Sequence, residues 1–186
     1  MKNSKARLVA FTGVLFALAL VLGLFENVLA AALGLPPGVK PGLGNVVVMF
    51  CLFCVSKKQA LLLVLLKAGF AFLVRGAVAG ALSLAGGMLS LVVMCLLLLL
   101  PTPPSVLLLS VFGAICHNLG QILVVGLLFG QAVWVYLPIL LVSGVAMGSL
   151  TALLLRVVLP PLRRIGLVDP CSVLSKAKRP PDDPPL

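Results

Sequence analysis

Apolar residues along this chain come in solid runs separated by short polar or proline- and glycine-rich breaks. The runs lack the alternation of a half-buried strand and the single stripe of a soluble surface helix. Six runs stand out, at 8–29, 45–55, 59–74, 81–100, 105–129 and 132–159. Several reach or approach the ~20 residues that a helix needs to cross a bilayer. The pattern predicts an all-α, polytopic membrane protein. Residues 1–164 form a bundle of six transmembrane helices, and 165–186 form a cytoplasmic tail. Solid Leu, Val and Ala runs exclude a transmembrane β-barrel.

The breaks support the segmentation. Residues 34–44, GLPPGVKPGLG, hold three prolines and four glycines, which no continuous helix accommodates. This stretch is read as a loop that carries Lys40, and the short second run borrows from it. Ser56-Lys57-Lys58, residues 76–80, Pro101-Thr-Pro-Pro104 and Gly130-Gln131 are read as the other breaks. The tail ends in KAKRPPDDPPL, whose proline and charge predict disorder. Lys2, Lys5 and Arg7 before the first run imitate a secretory signal. That run is too long for a signal h-region and lacks a clean cleavage site, so it is read as a retained span.

Composition agrees: 62% of the 186 residues are hydrophobic and 10% charged, with a mean hydropathy of +1.28. The net charge of +10 would point to nucleic acid in a soluble protein. Here the cations flank the runs. An even span count puts both termini on one side. Lys2, Lys5, Arg7, Lys57, Lys58, Arg156, Arg163, Arg164, Lys176, Lys178 and Arg179 then share that side, eleven against Lys40 and Arg75. The positive-inside rule makes it cytoplasmic. Cys51 and Cys54 form a CxxC inside an apolar run. With no further partners at metal spacing, they read as small buried hydrophobes.

Polar residues inside such runs are the candidates for function. In 113–121, GAICHNLGQ, His117 and Gln121 are four residues apart and share a helix face, with Asn118 beside them. They either cross-link helices by hydrogen bonds or touch a ligand. Lys67 lies mid-run, where a lysine costs about 2.5–3.5 kcal/mol to insert. Arg75 projects into the same half of the bundle, and Lys40 belongs to a loop on the same side. Glu26 is the one acid available there. Either these cations line an outward cavity for an anionic solute, or Glu26 pairs with Lys67 or Arg75. Asn45 is a weaker candidate. Gly144-xxx-Gly148 and Ser83-xxx-Gly87 read as packing faces. No catalytic set, metal site, cofactor motif or aspartate-rich diphosphate site is present, so an enzyme is not expected.

The loop PPGVKPGLGN, the charged third run ending in Arg-Gly, SLAGGMLS and GAICHNLGQ together resemble the Gx transporter family. Its members are often labelled heptaprenyl diphosphate synthase component I. The likeness covers about residues 8–164. It implies a bacterial plasma-membrane protein similar to the S components of energy-coupling factor transporters. Such a subunit binds a vitamin-like solute and works with a transmembrane coupling subunit and two ATPases. Small residues on the first helix, here Gly13 and Ala17, would then meet the coupling subunit. Lys67, Arg75, Lys40, Glu26, Asn45, His117, Asn118 and Gln121 are the expected solute contacts. The other expectation is a non-catalytic membrane partner in prenyl diphosphate or quinone metabolism.

Overall fold

The computed structural model of the chain describes residues 2–32, 34, 43–101 and 104–164. Lys40, most of the loop around it and the expected tail lie outside them. Six α-helices form: α1 Lys2–Ala32, α2 Asn45–Cys54, α3 Lys57–Arg75, α4 Ala77–Leu97, α5 Val106–Phe129 and α6 Leu137–Arg164. A short 3-10 helix, Gln131–Tyr136, precedes α6. No strand occurs among the described residues.

Four stretches are long and apolar enough to cross a membrane: Leu8–Leu29, Ala77–Leu97, Val106–Phe129 and Ala132–Val157. Their length and apolarity mark a membrane protein. The six expected spans are not all of this kind. α3 has 19 residues but carries Lys57, Lys58, Lys67 and Arg75. α2 has only ten residues. At 1.5 Å per residue it covers about 15 Å, half of a hydrocarbon core of about 30 Å.

Local chemistry sets the helix ends. The Ser56 hydroxyl accepts from the Gln59 amide at 3.2 Å and starts α3, and Ser105 does the same for Leu108 at the start of α5. The break expected over 76–80 contracts to Gly76. Its φ of +90° reverses the chain in one residue, and helix resumes at Ala77. The last run also differs from expectation, because its first residues coil as the 3-10 helix rather than as α-helix.

Helices α3, α4, α5 and α6 pack in chain order, each on the next. α2 lies inside and touches all four as well as α1, whereas α1 packs on α2 and α3 alone to any extent. Small residues permit the closest approaches. A Cβ on Gly148 would sit 2.5 Å from Val111 Cα, and one on Gly120 would sit 2.7 Å from the Ala85 carbonyl. The sequence pairs Gly144/Gly148 and Ser83/Gly87 fare differently. Both glycines of the first pair pack on α5 and Gly87 packs on Val64 of α3, but Ser83 turns elsewhere.

The bundle divides into a near half, where α1 and α3 begin, and a far half, where they end. α2 fills the near half. Val47, Val48, Met49, Phe50, Cys51, Leu52 and Phe53 are all buried there, against Leu15, Leu63, Val64, Leu91, Met94, Leu109 and Leu155 from the other five helices. The far half has a smaller apolar cluster, Leu82, Ile122, Val125 and Leu140, to which α1, α2 and α3 contribute nothing.

Candidate functional site

α2 begins at Asn45, and the space beyond that end is the site. The chain reaches Asn45 through Gly44, whose peptide is held at both ends. The Gly44 amide donates to Glu26 Oε1 at 3.2 Å, and the Lys67 ammonium donates to the Gly44 carbonyl at 2.9 Å. Glu26 and Lys67 also attract each other electrostatically. A lysine inside an apolar helix is therefore held by a carbonyl dipole and a carboxylate, which offsets its desolvation. The bareness of Gly44 matters here, because a Cβ would lie 3.0 Å from Lys67 Nζ.

Above this clasp is a cavity of about 70 Å³. Glu26 and Asn27 of α1, Lys67 and Arg75 of α3, Ser83 of α4, and His117 and Gln121 of α5 supply its polar lining. Ala19, Leu20, Leu24, Phe70, Ala71 and Leu82 are among its apolar walls. By a comparable measure one water needs about 10–15 Å³, so the cavity has room for a handful of water-sized groups.

His117 reaches the cavity because α4 is bare beside it. A Cβ on Gly86 would fall 2.8 Å from the His117 carbonyl and 2.9 Å from its Nδ1. His117 Nε2 and Gln121 Nε2 are 3.1 Å apart, so the two side chains position each other on one face of α5. Both are buried. Two cations, one carboxylate and a row of neutral donors and acceptors can bind an anionic group. Among the described residues, no cluster of three His, Cys, Asp or Glu side chains could hold a metal.

Of the residues expected from the sequence, Lys67, Arg75, Glu26, His117 and Gln121 come together here. Asn118 points the other way and donates to the Leu140 carbonyl at 2.8 Å and to Ser143 Oγ at 3.2 Å, tying α5 to α6. Asn45 donates to Ser90 Oγ at 2.7 Å, tying α2 to α4. Neither lines the cavity. Lys40 lies outside the described residues. Gly13 and Ala17 lie on an exposed face of α1, and a Cβ on Gly13 would meet nothing within 4 Å. Asn27 and Ser83 were missed. Asn27 could have been found as a polar residue beside Glu26 in an apolar run. Ser83 was hidden in a small-residue pattern.

A family model described as heptaprenyl diphosphate synthase component I matches residues 15–158. The chain belongs to this family. No curated protein and no solved structure matches it. In this family member the match takes in every polar side chain of the cavity, from Glu26 on α1 to Gln121 on α5. It also takes in the Gly44 clasp and both apolar clusters.

Proposed function

We propose that the chain is the solute-binding membrane subunit of a transporter of the energy-coupling factor kind, and that an anionic solute occupies the far-half cavity. One observation carries this reading: six polar or charged residues from α1, α3 and α5 line one cavity inside an apolar bundle. Such residues are expensive in a membrane and mark ligand or ion sites. Lys67 and Arg75 supply attraction, while His117 and Gln121 fix polar groups by hydrogen bonds.

On this reading α3 crosses the membrane despite its cations, and α2 reaches halfway. The basic flanks put both termini in the cytoplasm of a bacterial cell, and the cavity faces outward. The exposed face of α1 around Gly13 and Ala17 meets a coupling subunit, which in turn engages ATPases. Native mass spectrometry of the purified protein tests the first step. It should detect a retained small anion that Lys67→Ala protein lacks. If the variant retained that molecule as tightly as the parent, this placement would be wrong.

The family description favours a second reading, a non-catalytic membrane partner in prenyl diphosphate metabolism. Pulldown from native membranes separates the two. ATPase subunits support the transporter, and a prenyl synthase supports the partner.

A further inference from the structure

The lining of the cavity can be sorted by charge. Glu26 comes from α1, and Lys67 and Arg75 come from α3. Ser83 of α4 and His117 and Gln121 of α5 carry no permanent charge. The acidic side of this balance is complete in the sequence. Glu26 is the only Asp or Glu in residues 1–168, and the other acids follow α6. Among the described residues, two cations stand against one carboxylate, a net +1. Lys40 lies outside them.

Depth divides these charges. Glu26 is buried, accepts from the Gly44 amide and attracts Lys67. Lys67 uses one of its three ammonium protons on the Gly44 carbonyl. It keeps donors for a solute, but its charge is already balanced by Glu26. Arg75 is exposed at the end of α3. The cavity thus has a neutral floor and one uncompensated cation at its rim.

A poorly solvated site penalises uncompensated charge. A monovalent anion brings the balance to zero. A divalent anion leaves one negative charge facing the buried Glu26 carboxylate. Leaving the wrong partner with an unpaired charge is a source of specificity. A phosphate monoester carries about −1.5 to −2 near pH 7, and a diphosphate carries more. A lone carboxylate carries one.

We infer that Glu26 selects the charge of the solute, and that the cavity takes an organic acid with a single carboxylate in preference to divalent anions. The carboxylate sits between Arg75 and the remaining protons of Lys67, and a neutral polar group of the solute bonds His117 and Gln121. This rests on the reading of the cavity as an anion site.

The test is calorimetric titration of full-length protein in nanodiscs, with empty nanodiscs as the blank. A pH of about 8 lies above the ordinary histidine range. Butyrate, succinate and inorganic diphosphate are the probes, with butyramide as the neutral control. The parent should bind butyrate at least about tenfold tighter than succinate or diphosphate. Glu26→Gln keeps an oxygen for the Gly44 amide and raises the balance to +2, so the preference should turn to succinate. Adding Arg75→Gln returns the balance to +1 and should restore butyrate. Arg75→Gln alone changes an exposed residue. It should weaken butyrate at least about tenfold and leave butyramide unchanged, which reads the balance even if Glu26→Gln fails to fold. A parent that prefers succinate or diphosphate, or a preference that ignores these substitutions, overturns the selection by Glu26 and leaves the cavity as an anion site. Binding of no anion to the parent overturns both.

Discussion

The two halves of the bundle are built from the same helices and differ in what fills the middle. In the near half, α2 is a buried apolar plug, and every neighbouring helix gives it side chains. In the far half the middle is a cavity, and α1 and α3 turn Glu26, Asn27, Lys67 and Arg75 toward it. One half gains stability from dense packing. The other keeps charge inside a membrane protein, and the Gly44 peptide bonded to Glu26 and Lys67 marks the border. The contrast teaches that the length of one helix decides where a site can exist. A full-length α2 would fill the space.

This contrast can be broken in several places. The largest effect is expected in the plug. Val48 is wholly buried, and Val48→Asp should cost about 4 kcal/mol or more. Fluorescence-detected size-exclusion chromatography should show loss of the folded, monodisperse protein.

At the border, Lys67→Met removes the donor to the Gly44 carbonyl and the cation that Glu26 interacts with. It should destabilise by about 1–3 kcal/mol and abolish anion binding. Adding Glu26→Gln should recover part of the stability, with a coupling of about 0.5–3 kcal/mol, but none of the binding. A thermal-shift double-mutant cycle reads the first, and ligand titration the second. Strictly additive losses would show that the clasp is not a unit.

Between α4 and α5, Gly86→Ala places a methyl 2.8–3.0 Å from His117. Overpacking of this kind costs about 1–3 kcal/mol. Ligand affinity should fall in parallel, because His117 lines the cavity.

Within the plug's polar tie, Ser90→Ala removes the acceptor for Asn45. The expected loss is about 1 kcal/mol, with binding unchanged since neither residue lines the cavity.

The smallest effect on stability belongs to the hollow half. Gly23 borders the cavity, and a Cβ there meets nothing within 4 Å. Gly23→Leu should shift stability by no more than about 0.5 kcal/mol while filling the space and weakening ligand binding at least about tenfold. A large stability loss would mean that the far half is packed as tightly as the near half.

Much of the helical layout was legible in the sequence. The apolar runs located all six helices, because length and continuous apolarity are one-dimensional properties. Lys67, Glu26, His117 and Gln121 were also legible, since a polar residue in such a run is conspicuous by itself. What misled was local pattern without partners. Asn118 sits beside His117 in the chain but serves the α5–α6 contact, because adjacent helix positions face different neighbours. Asn45 looked like a ligand contact and is a tie between α2 and α4. Ser83 looked like packing and borders the cavity.

The sequence by itself determined that this is an all-helical membrane protein and which residues are too polar for their surroundings. Only the tertiary structure decided that α2 is a half-length plug and that Gly44 holds Glu26 and Lys67 together. Apolarity and helix length are written residue by residue. A cavity is what is left when helices of unequal length pack, and it depends on all of them together.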